Sequence, residues 1–424
     1  MLDFLPDKIM TGEKSPVSVS DSDSPGPTDP GDRIVSLDAL RGFALLGILV
    51  INVWLFAMPS AVDKNPVVFG DLTGANYAAW FVSHVFFEVK FMTLFTVLFG
   101  AGIVLFTESK ERKEQPALKL HYRRTILLLL IGLGHAYLLW YGDILVAYAL
   151  CALLAVLARN WLPRTLAAVG LALLVVPSLL YVWLGTFAHE IPAEFLTAWQ
   201  PTDEMIRAEI DAYRGGWIDQ MEYRVPTALS FQTVGFAFYT FWRVTGVMLL
   251  GMALFKMGIL SNERSKRFYR WLLVGGAVFG LALILVGVWY RGYHDWAFVE
   301  SVFFARQFNY WGSLLLAGAY IAGIMLWCRH RADGVVTGAL AAVGRTAFSN
   351  YLLQTVLATF IFYGHGLGLF GTLSRIELLG VVVLIWMIQV PLSVLWLRHF
   401  RFGPIEWIWR TLTYGERQPL FDRE

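Results

Sequence analysis

From Ile34 onward the chain alternates long apolar runs with short polar connections, and the runs do not alternate residue by residue. Each run is roughly 20 residues, the length a helix needs to cross a bilayer at 1.5 Å per residue. The pattern predicts ten spans, near 36–58, 84–107, 124–141, 143–159, 164–186, 231–258, 271–290, 310–328, 338–363 and 376–398. A strand-built barrel would need period-two alternation, which is absent. The expectation is an all-α membrane protein, a bundle of about ten transmembrane helices folded as one domain over 33–424. Residues 1–32 are read apart from it, as a disordered cytoplasmic tail. They include a Ser, Pro, Gly and Asp-rich stretch with almost nothing to bury, and lack the basic-then-apolar order of a cleaved signal.

Composition agrees with that pattern. Of 424 residues, 57% are hydrophobic and 16% charged, with a mean hydropathy of +0.56. Soluble domains average about 25% charged residues, so a soluble enzyme, a nucleic-acid binder and a disulfide-rich module are excluded as whole-chain descriptions. Cys151 and Cys328 both lie in or beside apolar runs, which argues against a disulfide or a cysteine-ligated metal.

The net charge of +2 becomes informative through its placement. With the first connection outside, 21 Lys and Arg fall in segments on the cytoplasmic side and 7 on the other. That asymmetry predicts both termini inside. The longest outer connection, 187–226, carries Ile206, Ile210, Tyr213, Trp217 and Met221 at helical spacing. It reads either as an interfacial helix or as a lid over an external cavity. Gly403-Pro404 opens a short Trp-rich helix, 403–415, expected at the inner interface. Gly276 and Gly280 suggest close helix packing.

Polar groups inside the runs each need a partner or a purpose, because a charge at bilayer depth costs about 2.5–3.5 kcal/mol on insertion scales. Asp38 and Arg41 are three apart on one helix face, and Asn52 lies three turns beyond Arg41 on roughly the same face. His84 and Glu88 are four apart, with Lys90 on another face. His135 precedes a Gly142-Asp143 turn. Since His84, His135, Glu88 and Asp143 all fall toward the outer side, they could converge, and a His oriented by a carboxylate is the minimal general-base unit. Asn350 and Gln354, four apart and beside Arg345, argue for a helix facing protein or water. The alternative roles are an anchoring interfacial ion pair for Asp38 and Arg41, snorkelling from a shallow span for Glu88 and Lys90, a structural histidine at His135, and interhelical hydrogen bonding for Asn52, Asn350 and Gln354. Arg243 is a further in-membrane cation without a local partner. No His/Cys spacing suggests a metal, so none is expected.

Several of these segments together resemble the YeiB-like bacterial membrane proteins, a family defined by a domain of unknown function. They are Ser36–Gly42 with Asn52, Glu88–Phe91 through Gly102, Trp140–Asp143, Gly344–Gln354 and Phe402–Arg410 with Tyr414-Gly415. More distantly, Asp38, Arg41 and Gly42, with an Asn eleven residues after the Arg, resemble the heparan-α-glucosaminide N-acetyltransferase superfamily of transmembrane acyltransferases. That resemblance implies transfer of an acyl group from a cytoplasmic acyl-CoA co-substrate to an acceptor across the membrane, with no tightly bound cofactor. It implies Arg41 on the donor side and Asn52 at the reacting centre. The superfamily's histidine is missing from both of its usual places, which here hold Asn52 and Asp63.

Combining resemblance and residues gives a catalytic set of Asn52, His135, His84, Glu88 and Asp143. The donor or substrate set is Asp38, Arg41, Lys90, Arg123, Arg124, Arg345, Asn350 and Gln354. Expected partners are membrane lipids and a small-molecule donor and acceptor, with no nucleic acid and a homodimer left open. A carrier or exporter of a small anionic metabolite, or a membrane scaffold, are the competing functions.

Overall fold

In the computed structural model, residues 34–188 and 196–421 are described, and they form an all-helical bundle. The expected tail lies outside the described residues. Helix α1 (Val35–Ala57) is followed by a loop and by α2 (Gly74–Val82), a π-type turn at Ser83–Phe87 and α3 (Lys90–Arg112). Next come α4 (Ala117–Gly134) with a π-type turn at His135–Leu139, α5 (Leu145–Ala155) and α6 (Pro163–Thr186). A connection bearing α7 (Asp203–Arg214) leads to α8 (Met221–Ser230), which runs through a π-type stretch into α9 (Phe241–Lys256). The remainder is α10 (Lys266–Tyr293), α11 (Arg306–Arg331), α12 (Val335–Arg345), α13 (Ala347–Phe362), α14 (Arg375–Trp396) and α15 (Pro404–Tyr414).

Seven helical segments among the described residues are long and apolar enough to cross a membrane: 35–57, 74–112, 163–186, 221–256, 266–293, 300–331 and 375–396. The other three expected spans differ. Helix α4 carries four basic or histidine residues in its first two turns, α5 is short, and 338–363 is not continuous. It is split at Thr346 (φ −110°, ψ 27°) into α12 and α13. The second span begins at Gly74, ten residues earlier than its hydropathy suggests, and is interrupted at Glu88–Val89.

Small residues set the packing. Gly42 of α1 meets the Leu340 carbonyl and Gly344 meets that of Asp38, so α1 and α12 touch backbone to backbone. Gly100 and Gly251 do the same for α3 and α9, and Gly276 and Gly280 for α10 against α11. A Cβ at any of these sites would collide with main chain, which is how glycine serves helix association without a hydrophobic drive. Helix α1 is central, bordered by α3, α11, α12, α13 and α14.

The connections sort onto two ends. Phe370 O accepts from Arg214, Glu209 from Ser60, and Trp199 O from Asn65, so the connections following α1, α6 and α13 meet at one end, called here the loop face. Helix α7 belongs to this end, with Ile206, Glu209 and Tyr213 buried inward, and Tyr213 stacked on Phe370 at 4.6 Å. It therefore covers the bundle as a lid would. At the opposite, basic face, Arg159 pairs with Glu111 and Arg329 binds Asn262.

Candidate functional site

Three polar clusters occupy the bundle. The first forms where the α2–α3 span breaks. Val89 adopts φ 68° and ψ −31°, a conformation a β-branched residue rarely takes, and it turns the chain between Glu88 and Lys90. Non-helical backbone at membrane depth persists only where protein or cavity water satisfies it. Here Lys90 Nζ donates to the His84 carbonyl (2.6 Å) and to Asn309 Oδ1 of α11 (2.6 Å). Asn309 Nδ2 donates to Glu88 Oε1 (3.4 Å), and Glu88 Oε2 lies 2.5 Å from His84 Nδ1. Lys90, Asn309, Glu88 and His84 thus close a ring. His84 is buried beneath Trp80, stacked at 5.2 Å, whereas the Glu88 side chain is 32% exposed. Helix α1 packs against this element, with the Phe91 ring seated on Gly47. Asn52 is half-buried and has no hydrogen-bond partner among the described residues.

The second cluster is sealed. His135 Nδ1 lies 2.8 Å from Asp143 Oδ2, and Nε2 lies 2.9 Å from the Thr355 hydroxyl of α13. Asp143 Oδ1 also accepts the Val146 N–H (2.8 Å) at the start of α5. The two side chains are 1% and 0% exposed. No hydrogen bond joins this pair to His84–Glu88 among the described residues, so the outer carboxylates and histidines form two pairs and do not converge. Asn350 and Gln354 build a neighbouring amide ladder with Gln389, Ser393 and Thr346 across α13 and α14. Arg243 is buried likewise, held by Thr93, Ser313 and the Tyr310 carbonyl.

The third cluster is basic and gathers around α15. Arg124 lies between the rings of Phe106 and Trp409 (4.9 and 4.4 Å), and the Trp409 indole donates to the Arg124 carbonyl. Arg123 reaches Gly415, whose φ of 77° ends α15, and Arg345 donates to the Arg401 carbonyl (3.4 Å). Arg41 pairs with Asp38 at 2.8 Å and is within electrostatic reach of Arg124. A narrow cleft beside Arg124 is lined by Phe99, His121 and Trp409. Glu406 of α15 accepts the N–H groups of Phe348 and Ser349 and the Ser349 hydroxyl, capping the start of α13. Burial pushes the Glu406 carboxyl above its ordinary range. Of the residues assigned to a donor site, Asp38, Arg41, Arg123, Arg124 and Arg345 are therefore at the basic face. Lys90 belongs to the Glu88 ring, and Asn350 and Gln354 to the ladder.

Sequence reasoning missed Asn309, Thr355, Gln389 and Glu406. It counted Arg291 and Arg306 only as outer charges. A signal existed for Asn309, an amide three residues after Arg306 in an apolar run, but its partner is 219 residues away. Among the described residues no three His, Cys, Asp or Glu come together as a metal-ligand set.

Comparison with known proteins follows this geometry. The family described as "Protein of unknown function (DUF418)" matches residues 254–416. The uncharacterized protein YeiB of Escherichia coli is 32% identical over 395 residues, covering 92% of this chain and 99% of that protein. The uncharacterized protein YxaH of Bacillus subtilis is 31% identical over 409 residues, covering 93% and 97%. An uncharacterized 39.9 kDa protein of Bacillus acidopullulyticus is 27% identical over 398 residues.

Proposed function

The chain belongs to the YeiB-like family of membrane proteins, whose members are of unknown function, and from that premise we propose that it is a transmembrane acyltransferase of the bacterial inner membrane. The basic face is cytoplasmic in this reading, as the Lys and Arg asymmetry suggests. The phosphates of an acyl-CoA donor engage Arg41, Arg123, Arg124 and Arg345 there, where guanidinium groups match phosphate oxygens. The thioester end extends along α1 toward Asn52, eleven residues or about 16 Å from Arg41.

Glu88 accepts the proton of an acceptor hydroxyl or amine arriving from the loop face, with His84 holding the carboxylate and sharing the proton. The freed lone pair attacks the thioester carbonyl. The Asn52 amide donates to the oxygen as it becomes negative. Collapse breaks the carbon–sulfur bond, and the leaving CoA thiolate takes the proton held by the Glu88–His84 pair. The observation that carries this reading is the half-buried Asn52 amide without a hydrogen-bond partner among the described residues, in a bundle whose Glu88 carboxylate is 32% exposed beside a strained helix break. A buried amide normally finds partners, so an open one at this depth suits a group that arrives.

Acetyl-CoA turnover by the protein in lipid nanodiscs tests it. CoA thiol should be released slowly to water and faster with an acceptor, and Asn52→Ala should abolish release while leaving acetyl-CoA binding intact. Absence of acetyl-CoA binding at millimolar donor would overturn the reading.

A second reading, export of a small anionic metabolite with Glu88 carrying a proton, is favoured by the interrupted helix itself, since transporters build midplane sites from broken helices. It requires flux of the anion into or out of sealed vesicles driven by a pH gradient, which an acyltransferase would not give.

A further inference from the structure

Beyond the Glu88 ring, toward the loop face, lies a charged cluster. Asp63, in the loop after α1, and Arg291, Arg306 and Glu88 are all within electrostatic reach of one another. Asp63 is exposed to water. The two arginines stand out by what they lack. Neither donates a hydrogen bond to, or forms an ion pair with, any described residue. Arg291 is only 9% exposed, with Trp296 its ring neighbour at 6.0 Å. Arg306 rests on Tyr239 at 4.8 Å and Tyr181 at 5.8 Å. Rings fix a guanidinium in place and leave its N–H edge free. Neither guanidinium has a nitrogen that is both buried and unpartnered, so their free N–H groups are within reach of an arriving acceptor.

We propose that Arg291 and Arg306 form a binding site for an oxyanionic group, a phosphate or carboxylate, on the molecule that enters from the loop face. Two guanidinium groups present up to ten N–H donors, enough to hold several oxygens of one anion. The anion's remaining body points to Glu88, placing a hydroxyl or amine of the same molecule at the ring. Naming that molecule as the acyl acceptor rests on the transfer reading; the anion site does not. Trp296 links Arg291 to Trp80, 5.1 Å away, and so to His84, an aromatic side along which the bound molecule lies.

The test uses the full chain in nanodiscs of neutral phosphatidylcholine, with glycerol phosphate as probe and glycerol as its uncharged control, read by calorimetry. Wild type should bind glycerol phosphate and not glycerol. Arg306→Gln, at a half-buried position, should weaken binding by about tenfold or more, the worth of a lost charge-assisted hydrogen bond. Arg306→Lys should recover part of it. Arg291→Gln is the second variant, and its folding is checked by an unchanged thermal unfolding profile and elution volume. A parallel set of nanodiscs containing phosphatidylglycerol identifies the source: competition with glycerol phosphate assigns the site to a lipid headgroup, its absence to a free metabolite. Equal affinity for glycerol phosphate in wild type and folded Arg306→Gln would overturn the proposal, as would no binding by wild type at millimolar probe. In that case Asp63 and Glu88 alone balance the two arginines through water. Failure of acetyl-CoA to bind, with glycerol phosphate still bound, would remove the transfer reading and leave this site standing.

Discussion

His84–Glu88 and His135–Asp143 are the same chemical pair placed on two similar helix irregularities, and they differ in one respect, access. Each histidine lies in a π-type turn, and each uses Nδ1 toward a carboxylate. His135 has its second nitrogen engaged by Thr355, and its carboxylate caps α5, so every polar atom is committed. Glu88 is 32% exposed and stands beside a strained residue. A His–carboxylate pair is thus no signature of catalysis by itself. What surrounds the carboxylate decides whether the pair is structural cement or a reactive group.

That contrast predicts opposite consequences for equivalent changes. Asp143→Ala leaves a buried imidazole and a bare α5 start, and should lower stability by about 3–5 kcal/mol, the range for breaking a buried pair. Thermal unfolding in detergent would read it. Glu88→Gln keeps the shape and the hydrogen bond to Asn309, and should leave unfolding near wild type while acyl release falls by orders of magnitude. If Glu88→Gln instead unfolds the protein and Asp143→Ala does not, the two clusters have been assigned the wrong way round. Lys90→Met, which strands the His84 carbonyl and Asn309, should cost about 1–3 kcal/mol, the desolvation penalty of unsatisfied polar groups.

Smaller effects sharpen the same comparison. Val89→Gly relieves a strained φ worth about 1–3 kcal/mol and gives part of that back in chain entropy. Its melting temperature should match or slightly exceed wild type, whereas Val97→Gly, buried in the regular part of α3, should lower it clearly. The mildest prediction concerns pH. Enclosure and the Glu88 charge hold Asp63 above the ordinary carboxylate value, against the pull of Arg306, Lys64 and Arg291. As pH falls, Asp63 therefore takes up its proton early, the cluster loses a negative charge, and anion binding tightens. Sulfate, whose charge is constant over that range, is the suitable probe, and Asp63→Asn should flatten the profile.

The sequence carried the class of the fold and the location of its polar exceptions with good fidelity. Continuous apolar runs reveal membrane helices because nothing else tolerates that length, and Glu88, Lys90, Asn52 and His135 were visible as intruders in those runs. Their grouping was not visible. Lys90 finds Asn309, and His135 finds Thr355, across 219 and 220 residues, and no local periodicity encodes which faces of two distant helices meet. The helix breaks were hidden for a different reason. Neither Glu88–Val89 nor Arg345–Thr346 contains Gly or Pro, the usual punctuation. Tertiary partners impose them: Lys90 serves the first, and Glu406 caps the second. The lid-like docking of α7 depends on Tyr213 meeting Phe370 and Tyr363, aromatic residues that read as ordinary interface anchors in the sequence.

The most direct measurement is release of CoA thiol from acetyl-CoA by nanodisc-embedded protein, comparing wild type with Asn52→Ala and Glu88→Gln under saturating donor. The account predicts measurable release by wild type, none above background by either variant, and unchanged donor binding in all three. Equal release from all three proteins, or donor that never binds, would contradict it.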